Sequence, residues 1–264
     1  MSHTVEVPGA RLYYEVQGSG PVLAVIGHPM DSSGFAPLVS ALTGHYTVVT
    51  IDPRGFGRSA IADRNQDAIP EVLADDVKAV LDLVGSEPVH MFGNSGGAVI
   101  GLALVAKYPD RLRTLVAHDP PLAELLPDRE KARASIHDIY DTYRAHGQGP
   151  AWGMFFDFGG FEAPPMPEGE PQEPSAEEVA AGERLFGHAL LPITLYEPDI
   201  AALRTASTRI VAAGGGDSKG TFPQRAAAAL AEQLGTPLVD FPGDHGGFDA
   251  QPAEFAQTLH KILS

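Results

Sequence analysis

Gly93-Asn94-Ser95-Gly96-Gly97 decides how the rest of this chain is read. The pentapeptide fits G-x-S-x-G, and its flanks fit as well. Val89 to Phe92 read as a short buried strand, and Gly96 to Lys107 (GGAVIGLALVAK) as a helix apolar nearly all round. A serine between such a strand and helix sits on a strained turn that lifts its hydroxyl above the sheet. Only small residues fit two before and two after it, here Gly93 and Gly97. The plain alternative is a glycine-rich turn whose serine merely caps the helix. The strand–turn–helix context favours the strained turn.

The 264 residues suffice for one large domain, or for a core domain with a sizeable insertion. A formal charge of −16, with no run of Lys or Arg, makes nucleic acid and anionic membrane poor partners. The absence of cysteine excludes disulfides, thiolate catalysis and Cys-ligated metal. The start, MSHTVEVPGARLYYEVQ, has no apolar segment behind a basic one, and no apolar stretch reaches membrane-spanning length without a break. These features point to a soluble, cytoplasmic protein.

Strand and helix patterns alternate outward from Ser95. Arg11–Val16, Pro21–Ile26, Tyr46–Ile51, Leu112–Ala117, Arg209–Ala213 and Leu238–Phe241 read as strands, several of them continuous apolar runs of the kind buried on both faces. Helices are expected at Gly34–Leu42, from Pro70, at Pro223–Leu234 and at Ala253–Leu263. This alternation predicts an α/β fold, a mostly parallel sheet flanked by helices on both faces. Between Asp119 and residue 207 the rhythm breaks. Arg129–Ala145 and Glu177–Phe186 look helical, the second behind a Ser175 capping box, and Gly160–Pro174 reads as a mobile Pro- and Glu-rich loop. The expected division is a core of 1–119 and 207–264, roofed by a helical cap of 120–206.

A serine nucleophile at neutral pH needs a base, an orienting acid and an oxyanion hole. Among ten histidines His245 is favoured, because Phe241-Pro-Gly-Asp-His-Gly-Gly-Phe248 places it in a loop beyond the last strand. The oxyanion donors expected are the N–H groups of Gly96 and of His28, since Pro29 has none to give. Two aspartates compete for the acid. Asp119 ends the strand LVAHDPP and is braced by two prolines; Asp217 follows Gly214-Gly215-Gly216. Asp119 is slightly preferred, because a loop of three glycines is a poor support for a carboxylate. Met30, Trp152, Phe155 and Phe156 are the expected pocket side chains, although the aromatic run Trp152–Phe158 would serve equally to pack cap on core. No phosphate-cradling motif, metal-ligand cluster or nucleotide fingerprint occurs, so neither metal nor cofactor is expected.

Taken together these residues resemble the α/β-hydrolase superfamily. Gly27-His28-Pro29 resembles its HGxP oxyanion loop, with Ile26 in place of the usual first histidine. Asp52-Pro-Arg-Gly-Phe-Gly-Arg-Ser59 resembles its D-x-R-G-x-G-x-S segment, and Phe241–Phe248 its terminal histidine loop. The match covers Arg11–Asp119 and Arg209–Leu263. Tyr108-Pro-Asp-Arg…Ala117-His118-Asp119 is similar to the corresponding stretch of zearalenone lactonases, in which the acid ends this strand. The resemblance implies a cofactor-free serine hydrolase of a small-molecule ester or lactone. Carbon–carbon hydrolysis or perhydrolysis by the same triad, and a non-catalytic ligand-binding protein, are the alternatives.

Overall fold

The computed structural model describes residues 1–161 and 174–264. The loop expected over Gly160–Pro174 falls almost wholly outside the described residues. Two antiparallel strands, β1 (Ser2–Val7) and β2 (Ala10–Gly18), open the chain. There follow β3 (Val22–Ile26), a 3-10 turn at Ser32–Phe35, α1 (Ala36–Leu42), β4 (Thr47–Ile51), the two-residue β5 (Ala60–Ile61) and α2 (Pro70–Val84). The centre of the fold is β6 (Val89–Asn94), α3 (Gly96–Lys107) and β7 (Leu112–His118). Then come α4 (Arg129–His146), α5 (Gln148–Gly159), α6 (Ala176–Arg184), a π turn at Leu185–Ala189, α7 (Leu190–Thr194) and α8 (Ile200–Thr205). The chain returns to the sheet with β8 (Arg209–Gly215), α9 (Phe222–Leu234), β9 (Val239–Phe241), α10 (Gly247–Ala250) and α11 (Pro252–Leu263).

One sheet runs in the order β1-β2-β4-β3-β6-β7-β8-β9, with β5 on the side of β2. From β4 to β9 every pairing is parallel; β1, β2 and β5 are antiparallel. The parallel strands are apolar because both faces are covered: VLAVI in β3 and TVVTI in β4 are buried after their first residue. On one face α1 packs against α11, around Phe35, Phe92, Phe241 and Phe255. On the other, α2 packs on α3 and α9 lies on β8. Every residue of α3 from Gly96 to Val105 is buried, which explains a helix without a polar face. Gly101 is small because Leu115 leaves no room: a Cβ there would stand 2.6 Å from its Cδ1.

Parallel strands bring their carboxyl ends to one edge. Ile26 pairs with Gly93, Asn94 with His118, and His118 with Ala213. The residues that follow, at 27–30, 95, 119 and 216–218, therefore share a rim, where open α/β sheets hold their ligands. The turn from Asp52 to Ser59 is fixed beside that rim. Buried Asp52 accepts hydrogen bonds from Ser32 N (3.0 Å) and Arg58 N (2.9 Å), and Arg54 donates through Nε to Asp76 on α2 (2.6 Å). Burial raises the Asp52 carboxyl, but the hydrogen bonds from Arg58 and Ser32 outweigh it and hold it below its usual range.

Several boundaries differ from the sequence reading. β1 was not expected, and neither were α5, α7 and α8. The predicted Gly34–Leu42 helix begins with a 3-10 turn, and the predicted Glu177–Phe186 helix gives way to the π turn after Arg184. The capping box is present: Ser175 Oγ accepts from Glu178 N at 3.2 Å, and Glu178 Oε2 accepts from Ser175 N at 2.8 Å.

Candidate active site

Ser95 stands alone between β6 and α3, with φ 55° and ψ −126°. A non-glycine residue held at positive φ costs on the order of 1–3 kcal/mol, and the neighbours must enforce it. Here they do so by proximity. A Cβ on Gly97 would collide with the Ile26 carbonyl, and one on Gly93 would lie 2.6 Å from the Gly97 carbonyl oxygen. The Ser95 N–H donates to the His118 carbonyl at 2.9 Å, tying the turn to β7.

The other non-glycine residue at positive φ, among the described residues, is Asp119 at 46°, directly after β7. Its side chain is fully buried, and its Oδ2 accepts from His245 Nδ1 at 3.2 Å and from Gly215 N at 3.4 Å. A carboxylate only accepts, so the proton sits on His245 Nδ1 and its Nε2 is left as a base. The chain leaves space for this carboxylate: a Cβ on Gly214 would stand 2.8 Å from Asp119 Oδ1. Asp217, on the same rim, makes no side-chain contact with His245. It is exposed, its side chain is unpaired among the described residues, and only its backbone N–H reaches the histidine loop, at Gly243 O (2.9 Å). Of the two candidate acids, Asp119 is the one beside His245. Asp244 caps its own turn, accepting from Gly246 N at 2.8 Å, and Asp31 does the same with Ser33 N at 2.8 Å.

His28 and Gly96 come together beside Ser95. A Cβ on Gly96 would meet His28 O at 2.9 Å, and among the described residues nothing accepts the N–H of either. Gly96 is the first residue of α3, where backbone N–H groups lack partners within the helix and the dipole favours negative charge. The His28 imidazole is buried in a T-shaped contact with the Phe56 ring, 5.1 Å between centroids. Burial, aided by the charge of Arg184, pushes it down to about 3, so it is neutral at physiological pH.

Ser95, Gly96 and His28 floor a cleft of about 530 Å³, its open mouth included. Its walls are apolar, with Phe155 and Phe158 from α5, Leu190 and Ile193 from α7, and Phe222 from α9. Among the described residues no lining side chain carries a charge, and Thr194 donates its hydroxyl to the Leu190 carbonyl at 2.6 Å. Phe161 also lines the cleft, its ring 4.7 Å from that of His245. Three of the four expected pocket residues need correction. Phe155 lines the cleft, whereas Trp152 and Phe156 do not. Trp152 stacks on Phe156 (5.5 Å) and meets Phe186 edge-on (4.8 Å), behind the wall. Met30 turns away against Gly27 and Gly34, toward α1. The α7 residues were missed. The apolar run Leu190-Leu191-Pro192-Ile193, a second apolar stretch of the insertion after Trp152–Phe158, was the signal.

The family described as alpha/beta hydrolase fold matches residues 20–158, more than half of the chain. A hydrolase of unassigned activity, YraK of Bacillus subtilis (strain 168), is 34% identical over 274 residues, covering 98% of this chain and 95% of that protein. Among solved structures, a thermophilic esterase from Thermogutta terrifontis superposes with a TM-score of 0.74 at 24% identity, covering 98% of this chain and 96% of its own. The enol-lactonase from Burkholderia xenovorans LB400 does so with a TM-score of 0.66 at 19% identity, covering 99% of both chains. At such identities the likeness is one of fold. With this fold, and with matches along almost its whole length, the chain belongs to the α/β-hydrolase family and is an enzyme of the hydrolase class.

Proposed function

We propose that the protein is a cofactor-free serine hydrolase that cleaves an ester or lactone with a small, uncharged apolar acyl part. Ser95 Oγ attacks the carbonyl carbon while His245 Nε2 takes its proton. The carbonyl oxygen becomes an oxyanion between the N–H groups of Gly96 and His28. His245 then gives the proton to the departing alkoxide, and the acyl group stays on Ser95. Water, deprotonated by the same nitrogen, attacks the acyl-enzyme and frees the acid. Asp119 keeps His245 in the productive tautomer and stabilises the imidazolium. Residues 120–206 act as a cap that supplies the acyl-facing wall over the core of 1–119 and 207–264.

One observation carries this reading: the contact of His245 Nδ1 with Asp119 Oδ2 at 3.2 Å, on the rim that also holds Ser95. The cleft supports the substrate class, since a charged acyl group entering it would lose its water and find no counter-charge among the described lining residues. The esterase and enol-lactonase of like fold are consistent with carbonyl chemistry. A panel of p-nitrophenyl esters of short fatty acids, uncharged lactones and carboxylate-bearing half-esters tests it. Turnover is expected for the uncharged esters or lactones, with kcat/KM for half-esters lower by at least about tenfold, roughly 1.4 kcal/mol. Preference for the half-esters, or turnover of none of the panel, would contradict it.

A further inference from the structure

The two strained residues of the site, Ser95 and Asp119, each follow the last residue of a strand, and those last residues face one another. Asn94 ends β6, His118 ends β7, and the two are register partners in the parallel ladder. Their side chains lie on the same face and meet, His118 Nδ1 against Asn94 Oδ1 at 2.7 Å, with 0% and 3% of their surfaces exposed. Asn94 Oδ1 is an acceptor, so His118 Nδ1 carries the proton. Its Nε2 is left bare, with no partner among the described residues, in a box of Phe92, Phe241 and Phe255 rings at 5.4 to 5.9 Å. The charged or titratable groups that face this ring are Asp119, 4.0 Å from Nδ1, His245, 6.4 Å between centroids, and Asp244. An imidazolium in that box would place a cation beside the carboxylate that His245 uses. Burial disfavours it and lowers His118 to about 4, so no cation forms there to compete with His245 for Asp119.

We propose that Asn94 and His118 are a positioning pair, whose buried side-chain hydrogen bond fixes the ends of β6 and β7 and so sets where Ser95 and Asp119 stand relative to each other. The proposal rests on the reading of Ser95 and Asp119 as nucleophile and acid. The backbone alone gives a weaker constraint. One rung, Ser95 N to His118 O at 2.9 Å, joins the two turns. The further rung from Asp119 N, to Ala213 O at 2.9 Å, ties Asp119 to β8 and not to β6, and both residues sit in conformations that they would not adopt unaided. Two apolar side chains could fill the same space but would specify no register. A buried polar pair is satisfied only when the two ends are aligned.

The test compares His118→Leu and Asn94→Leu, which break the bond, with His118→Asn, whose amide N–H can replace Nδ1. For each, kcat and KM on a p-nitrophenyl ester, the melting temperature, and the rate at which a fluorophosphonate labels Ser95 are measured. The expected result is a fall in kcat of about 10²-fold in both leucine variants, KM within about twofold, and labelling slowed in parallel, because misplacement by about 1 Å costs that much. His118→Asn should recover most of kcat. A purely structural role would lower the melting temperature of all three while the folded protein kept its kcat, and that result overturns the proposal. If His118→Leu does not fold, Asn94→Leu decides by the same criterion. Failure of wild-type Ser95 to react would remove the nucleophile reading itself, and this proposal with it. Normal wild-type labelling with undiminished leucine variants removes only the pair.

Discussion

Asp119 and Asp217 show how a single glycine run can be read in two ways. Gly214-Gly215-Gly216 suggests a flexible loop when seen as sequence, which counted against Asp217 for the wrong physical reason. The glycines clear space: a Cβ at Gly214 would crowd Asp119 Oδ1 at 2.8 Å, and the Gly215 N–H donates to Oδ2 at 3.4 Å. They serve the other aspartate. Asp119→Asn should lower kcat by about 10⁴ with the fold intact, because the amide N–H repels the Nδ1 proton and traps the wrong histidine tautomer. Asp217→Asn should stay close to wild type, as its side chain has no partner among the described residues. Steady-state kinetics of the two variants on one ester checks both. Equal losses would contradict the assignment.

At the level of elements, the parts legible in the sequence were those whose pattern reflects burial. β3, β4, β6 and β7 announce themselves as apolar runs, and the Ser95 turn is marked by glycines that steric contact demands at 93 and 97. β1 escaped notice because it is an edge strand, SHTVEV, exposed over most of its length and paired with β2. α5 escaped because Gly149, Pro150, Gly153 and Gly159 give it poor helix propensity; packing on α4 and α9 overrides that. The same misreading moved the pocket. A run of aromatics in a loop would aim anywhere, but on a helix it splits between faces, with Phe155 and Phe158 toward the cleft and Trp152 and Phe156 stacked together behind it. Phe155→Ala should therefore shift kcat/KM toward bulkier acyl chains by about tenfold. Trp152→Ala should leave that preference unchanged and lower stability by about 2–3 kcal/mol. Chain-length series and urea unfolding would separate them, and the opposite pattern would return Trp152 to the pocket.

For the whole molecule, buried imidazoles couple the fold to pH: burial lowers His90 as well as the two most deeply buried rings, His28 and His118. His28 is lowered to about 3 and His118 to about 4, each chiefly by burial, against an ordinary value near 6.5 in the unfolded chain. Below 6.5 the unfolded chain takes up protons that the folded one refuses, so stability is complete above that pH and falls as pH drops toward the folded values. Between pH 6.5 and 5, above the range where most carboxylates titrate, each should cost about 2 kcal/mol. Urea unfolding across that interval should show the decline, and stability independent of pH would contradict the burial of neutral rings. The proposed chemistry requires Ser95 to be an activated nucleophile, and the intact mass of the protein is the decisive measurement. After incubation with a fluorophosphonate, wild type should gain one phosphonyl adduct, mapped to Ser95 by peptide mass spectrometry, and Ser95→Ala none. An unlabelled wild type, or an adduct of equal yield in Ser95→Ala, would contradict it.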